Sequence, residues 1–583
     1  MNCVDLEMIV LAPANYHSES QTVAKQRRPR NIPSGVFKLH KYEKKIIELW
    51  TIVRGLDTDT HEMALTCFVT KFQTASRMSS STLDIREQFV TGHNGTSQLE
   101  VFAVQLVAPL AVFSRNLVLR WVFMGSEPFV DHVWSKFWMD FVLLVVPMLL
   151  SLTLLSSYVV LLVASQIVCI VVVSLCFLWE YYAYNKEKPP FQQVVNQVIA
   201  PEMGPTTFFT YLRSMLMVYT CIAILAVDFS VFPRRFAKTE TFGHSVMDIG
   251  SSAFVFAMGG AETVRLSKKE SNRASLRSFV TSSRVTFVLV GIGMCRSLIL
   301  PLLNYQMHVT EYGTHWNFFF TLAVIKGFSI VHSLICKGNF SLILGIAFSV
   351  CHEYLLTGLG YNLWILSDAP RNTWISANRE GIYSILGYLS LYCYGFRVGQ
   401  IATPSGCVRL KAYFWLTVKI FILSGVFFLL QKLPFEHLFG QPSRRLMNLP
   451  FIFSMNGLFT FSLAMFLMVQ FFTLAGWAAR IPSFHLEETA AKNKLLPCLL
   501  TALNEKGFLV FLFMFSNLMT GMVNLSIDTI SVTDPILATS IIGAYSALCV
   551  ALTFYMSRLT HSKEKEGESI SPLGRLLRLI LSN

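Results

Sequence analysis

From about Leu99 to about residue 556, the chain repeats one pattern: apolar runs of about 17–25 residues with few charges, broken by short polar loops. A helix of that length crosses about 30 Å of hydrocarbon. The stretch from Phe141 to Phe177 holds no Asp, Glu, Lys or Arg, which excludes the apolar/polar alternation of barrel strands. Every backbone polar group must then be satisfied inside its own segment, and only helices do that. Composition agrees: 53% of residues are hydrophobic and 14% charged, against about 25% charged in soluble chains. The expected fold class is all-α, a polytopic integral membrane protein. Thirteen spans are predicted, at about 99–119, 138–156, 158–183, 206–228, 247–263, 284–304, 316–336, 339–357, 382–398, 412–431, 450–475, 508–526 and 536–556.

Three regions follow. Residues 1–98 form a polar, basic leader, expected to be disordered over 1–77; no apolar run follows Gln26–Arg30, so it does not read as a signal peptide. Residues 99–557 form the transmembrane region, and 558–583 a basic tail in which Leu573 to Ile580 suggests an amphipathic turn. The net charge of +13 sits largely in the leader and the loops, as in a protein oriented in a bilayer, and does not point to nucleic acid. Of the 12 cysteines none forms a CxxC pair, and residues such as Cys169, Cys176 and Cys549 fall inside apolar runs. They read as small core hydrophobes, with no metal site and no disulfide framework.

Loop charges set an orientation. Arg265, Lys268, Lys269, Arg273 and Arg277 in the fifth loop, and Arg558, Lys563 and Lys565 in the tail, belong on the cytosolic side. The sixth and twelfth loops carry no Lys or Arg and fall on the opposite face. The N-terminus is then lumenal, the C-terminus cytosolic, and the sequon Asn94-Gly95-Thr96 lumenal. The fourth loop breaks the rule: it is lumenal in this scheme yet holds Arg234, Arg235 and Lys238. Positive charge kept against a topological penalty marks it as a candidate site.

That loop follows Asp228, a carboxylate at the end of an apolar helix, where it is costly unless paired or facing a wet cavity. An ordinary solvated helix-end charge is the plain alternative. Pro233 with Phe229, Phe232 and Phe236 predicts a tight apolar turn that folds back over the helix end and brings Lys238 to Asp228. Such a pair suits acyl transfer to a hydroxyl, with the carboxylate as general base and the ammonium on the developing oxyanion. Arg234 and Arg235 suit phosphates, and Thr239 and Glu240 continue the segment.

The segment Asp228 to Gly243 resembles the signature of the GPI inositol acyltransferases. So do His308 to Phe320 (with Glu311, His315, Trp316 and Asn317), Ile375 to Ser384 (with Asn378, Arg379 and Glu380), Asn517 to Ser526, and the start from Arg86 to Ser97. The resemblance runs from about Met78 to the last helix. It implies about thirteen spans and transfer of a palmitoyl group from acyl-coenzyme A to the inositol 2-hydroxyl of glucosaminyl-phosphatidylinositol, in the endoplasmic reticulum membrane. Acyl-CoA is then a co-substrate, and no bound cofactor is expected. The family's Asp and Lys fall on Asp228 and Lys238. Residues 1 to about 77 match nothing in that pattern, which points to an upstream extension or an alternative start at Met78, with a loose regulatory tail as the other reading.

Other candidates carry less. His308, Glu311 and His315 lie at i, i+3 and i+7, which invites a metal, but HExxH is absent and polar packing or substrate hydrogen bonding is the preferred reading. Arg296, Lys326, His352, Glu353 and Lys419 lie in or near spans, as pathway residues or as interhelical pairs. Asn378, Arg379 and Glu380 stand in a lumenal loop, and Asn517 in a span; all are candidates for substrate contact. No His-x4-Asp, GxSxG or P-loop occurs. A transporter or lipid flippase with buried charges is the alternative class, though no internal repeat supports it.

Overall fold

A computed structural model describes residues 89, 92–122, 133–184, 188–199, 207–268, 276–302, 309–335, 339–403, 408–481, 498–505 and 507–566. The leader's first 88 residues, His308, most of the fifth loop and the end of the tail lie outside them. The described chain is helical almost throughout. The long helices are α1 (Gln98–Val122), α2 (Val133–Leu152), α3 (Ser156–Tyr184), α4 (Thr207–Ala226), α5 (Ile249–Lys268), α6 (Leu276–Leu302) and α7 (Phe318–Ile335). There follow α8 (Phe340–Gly358), α9 (Arg379–Ala402), α10 (Leu410–Phe439), α11 (Leu449–Ala478), α12 (Phe508–Ser526) and α13 (Pro535–Glu566). The two-residue strands Val198–Ile199 and Val408–Arg409 pair antiparallel between connecting segments.

Among the described residues, 10 helices are long and apolar enough to cross a membrane, which makes this a multi-pass membrane protein. The other three expected spans are helical too, as α5, α6 and α9, but their polar and small residues keep them out of that class. On α5 and α9 many of those residues are buried against protein, among them Ser252, Glu262, Thr263, Ser384 and Ser390. Lipid-facing α3 carries the most exposed apolar surface, with Val160, Leu161, Leu175 and Trp179 uncovered. The core lies between α4, α5, α9 and α11. In hydrocarbon no hydrophobic force drives helices together, so close packing must do it. Gly395 and Gly399 form a small-xxx-small stripe on α9, and Cβ atoms there would strike Phe256 and Gly260 on α5. The α5–α9 contact is correspondingly tight.

Two helix starts explain the loop end of the bundle. Asn448 caps α11, its side chain accepting from the Phe451 N–H, with Pro450 in the first turn. Glu353 at the end of α8 adds a second acceptor for that terminus, its Oε2 2.8 Å from the Leu449 N–H. These fix the loop 440–448, which proves to carry part of the site.

Candidate active site

The chain leaves α4 in a tight turn: the Asp228 and Phe229 N–H groups donate to Leu225 and Ala226 carbonyls at 3.1 and 3.0 Å. Pro233 then opens the single turn Arg234–Phe236. Phe229, Phe232 and Phe236 are all fully buried, so the loop folds back into the protein as the aromatics predict. Both arginines belong to its frame. Arg234 donates to the Phe229 and Phe232 carbonyls at 2.9 Å and lies 3.9 Å from the centre of the Phe89 ring. Burial pulls its pKa down to about 10, with Asp228 opposing. Arg235 grips Glu100 with Nε at 3.0 Å and Nη2 at 2.8 Å. The expected phosphate ligands thus already hold partners within the protein.

The start motif packs against the same loop. The Thr96 N–H donates to the His244 carbonyl at 2.7 Å. A Cβ at Gly243, whose φ is +118°, would sit 2.7 Å from the Asn94 carbonyl oxygen, so only glycine fits there. The Gly92 N–H reaches Glu240 at 3.4 Å. Glu240 therefore closes the loop from outside.

Lys238 does not pair with Asp228 as the sequence suggests. Its Nζ lies 2.6 Å from Glu311 Oε1, while Asp228 Oδ2 accepts from the Asn524 amide on α12 at 2.9 Å. The partner of Lys238 comes from a segment 73 residues away, on the one-turn helix Val309–Tyr312. Burial lowers the Lys238 pKa, Glu311 works against that, and Arg444 and Arg296 add to it.

Lys238 stands at one end of an apolar cleft of about 900 Å³, its open mouth included. α4 lines it with Leu216, Thr220 and Ala223, and α5 with Gly250, Ala253 and Phe254. Arg444 and Tyr312 join Lys238 at the polar end. Arg444 Nε is 2.9 Å from Asp248 Oδ1. Burial disfavours the Arg444 cation, but Glu311 and Asp248 more than restore it and hold its pKa above the usual value. Asp248 is raised by burial, against Arg444 and Thr239. Thr239 supports that carboxylate through Oγ1 at 2.7 Å and its own N–H at 3.2 Å. The site is therefore two linked ion pairs, Lys238–Glu311 and Arg444–Asp248, closing an otherwise oily space.

Arg444 is held from behind. Glu380 Oε1 takes Arg445 Nη2 at 2.9 Å and Arg371 Nη2 at 2.6 Å. Arg379 caps the Ser367 and Ala369 carbonyls beside them. His352 Nε2 lies 2.9 Å from the Leu446 carbonyl, and Met447 adopts φ 54°, a conformation a non-glycine residue keeps only under surrounding constraint. Glu380, Arg379, His352 and Glu353 thus build the mount for the 440–448 loop.

Other expected residues are also structural in this state. Asn378 Oδ1 accepts from the N–H groups of His315 and Trp316, both at 2.8 Å. Trp316 Nε1 donates to Thr321 at 3.0 Å. Asn317 Nδ2 ties to the Gly293 carbonyl at 2.9 Å and Ser297 at 3.0 Å. Asn517 bonds the carbonyl one turn back, Phe513, at 2.6 Å. The His315 ring is exposed. No group of three or more His, Cys, Asp or Glu suited to a metal exists among the described residues. Sequence reasoning missed Asp248, Arg444 and Arg445. Arg444 and Arg445 had a signal: the stretch after the expected span 412–431 carries Lys432, Arg444 and Arg445, the same excess of cations that marked the fourth loop.

The profile of the GWT1 family matches residues 84–556. Glucosaminyl-phosphatidylinositol-acyltransferase PIGW of Mus musculus is 33% identical over 477 residues, covering 76% of this chain and 92% of that protein. GPI-anchored wall transfer protein 1 of Emericella nidulans is 31% identical over 497 residues, covering 81% and 97%. The protein of the same name from Candida albicans is 29% identical over 526 residues, covering 82% and 99%.

Proposed function

The chain belongs to the GWT1 family, and from that premise we propose that it is a membrane-bound O-acyltransferase of GPI-anchor biosynthesis. It moves a long acyl group, palmitoyl, from acyl-CoA to the inositol 2-hydroxyl of glucosaminyl-phosphatidylinositol. It works in the endoplasmic reticulum membrane, with its N-terminus lumenal, its C-terminus cytosolic and the Lys238 loop on the lumenal side. The observation that supports this reading best is the cleft: an apolar space for acyl chains, ended by the cations Lys238 and Arg444.

The chemistry follows from the charges. The inositol oxygen attacks the thioester carbonyl and its proton passes to a carboxylate. The C–O bond forms, the C–S bond breaks, and the CoA thiolate leaves and recovers the proton. Asp228 is the better base. Glu311 is engaged in a direct ion pair, 2.6 Å from the Lys238 ammonium, whereas Asp228 accepts from the Asn524 amide and also interacts with the Arg234 charge. Asp228 also stands four residues beyond Ile224, which lines the cleft, in the turn that follows α4. Lys238 and Arg444, prepositioned in low dielectric, stabilise the oxyanion.

The test uses microsomes lacking their own inositol acylation and expressing this chain or Asp228→Ala. They receive glucosaminyl-phosphatidylinositol and palmitoyl-CoA, and the lipid product is followed by mass. Acylated inositol from the parent alone, at equal expression, supports both reaction and base. No product from the parent removes the acyltransferase reading and favours a transporter. Product from both keeps the reaction and removes Asp228 from it.

A further inference from the structure

The helix faces that line the cleft continue past it, away from the site loops. On α4, Arg213 stands three residues before Leu216 and so shares its face. On α7, Lys326 follows Phe318 by eight residues, and on α5, Arg265 follows Phe254 by eleven. Those spacings, about two and three turns, return each side chain to the cleft-lining stripe. The three cations also converge in space: the charges acting on Lys326 are Glu262, Arg265 and Arg213. Lys326 is only 6% exposed, and its ammonium makes no direct hydrogen bond or ion pair among the described residues. Glu262, equally buried, is paired with Arg265. Three cations less one carboxylate leave two positive charges within the bundle. Net charge held inside a membrane protein is costly and marks a site that meets an ion.

We propose that Arg213, Lys326 and Arg265 bind the phosphates of the coenzyme A part of the acyl donor, at the end of the bundle opposite the site loops. The inference rests on the acyltransferase reading. Length supports it. Eleven residues of α4 separate Arg213 from Ile224 near the polar end of the cleft, about 16 Å. The arm joining pyrophosphate to sulfur in coenzyme A is about as long as four extended residues, roughly 14 Å, and the arginine side chain closes the difference. With phosphates on the cluster, the arm runs along the cleft and delivers the thioester to Lys238 and Arg444. A soluble, highly charged donor then enters from one face of the membrane while the inositol lipid is presented at the other. Arginine and lysine together suit a pyrophosphate, and its two charges match the surplus.

The test compares two donors with the purified full chain: palmitoyl-CoA, and palmitoyl-pantetheine, which has the same thioester and arm but no phosphates. For Lys326→Met the KM for palmitoyl-CoA is expected to rise about ten- to a hundredfold with kcat held. The KM for palmitoyl-pantetheine should not move, and Lys326→Arg should restore most of the loss. Arg213→Gln, at a half-buried position, repeats the comparison should Lys326→Met fail to accumulate. Equal losses with both donors, or an unchanged KM for palmitoyl-CoA, overturn the proposal while leaving the acyltransferase reading intact. A parent that transfers from neither donor removes that reading, and the proposal with it.

Discussion

Two charged assemblies lie side by side at the loop end of the bundle, and they differ in what closes them. Around Glu380, whose side chain is fully buried, Arg371 and Arg445 converge on one carboxylate. Arg379 and Arg445 also donate to the carbonyls of Ser367, Ala369 and Ile365. Protein surrounds that cluster. Around Lys238 and Arg444 the residue types are the same, but one side faces an apolar cleft. Charge alone does not separate a mount from a site. A cation whose open side meets a cavity is available to a substrate, and one whose neighbours are all backbone and carboxylate is a fastener. Adjacent residues illustrate both: Arg444 turns to the cleft and Arg445 to Glu380.

The largest expected effect tests the open assembly. Lys238→Met should lower the acyl-transfer rate per folded molecule about 10²–10³-fold, the usual loss of one oxyanion donor, alongside some loss of stability because Glu311 is left without its ammonium. A variant that retains near-parent turnover would show that the polar end of the cleft is not where the carbonyl sits.

The closed assembly should answer in the other currency. Glu380→Gln removes the carboxylate shared by Arg371 and Arg445, and breaking a buried pair costs about 3–5 kcal/mol of stability. Unfolding should shift to markedly lower temperature, while the folded fraction keeps its KM for donor and acceptor. Lost turnover without lost stability would mean that Glu380 belongs to the chemistry and that the division into mount and site is drawn in the wrong place.

The division explains what the sequence makes legible. Apolar run length finds the helices, because hydrocarbon thickness and backbone hydrogen bonding admit few solutions. The charge rule finds the Lys238 loop, because a lumenal cation is rare without a reason. The wiring between loops escapes both. Lys238 reaches Glu311 and Arg444 reaches Asp248 across chain separations that no local pattern encodes. Nearness along the chain suggested Asp228 for Lys238, but the turn at Ala226–Phe229 sends the two side chains to different neighbours. Asn378, Arg379 and Asn317 carry a motif, and most of their hydrogen bonds go to backbone, so the motif records at least the folding of the site's surroundings. The span count suffers for a related reason: α5 and α9 pack through glycines and polar groups, so they look less like lipid-facing helices.

A smaller effect probes the loop through pH. His244, in the same loop as Lys238, has Nε2 buried without a hydrogen-bond partner among the described residues. Burial pulls its pKa down to about 4, with Lys432 adding and Glu436 opposing. An unfolded histidine titrates near 6.5. Between pH 6.5 and about 4 the unfolded chain therefore binds a proton that the folded chain refuses, and stability falls as pH falls through that window. His244→Gln should remove this slope, so that the parent-minus-variant difference in melting temperature falls between pH 7 and pH 5. A difference that stays constant over that range would mean the imidazole is solvated and the loop looser than it stands here.

The smallest effect is expected at Arg235, and it sharpens the comparison most finely. Its bidentate grip on Glu100 resembles the Glu380 pairs in geometry, but its side chain is 37% exposed and that of Glu100 21%. Water screens such a pair and competes for both partners, so exposed pairs contribute about 0.2–1 kcal/mol. Arg235→Gln should move the melting temperature slightly, and the double variant with Glu100→Gln should give a coupling energy in that range. If the coupling instead approaches that of Glu380 with Arg445, the Arg235 pair is as enclosed as the mount, and the Lys238 loop is fixed by charge at its rim as well as by its three buried phenylalanines. If Arg235→Gln raises the KM for the inositol lipid while stability holds, Arg235 releases Glu100 to meet a phosphate, and the loop's frame and its binding surface share a residue.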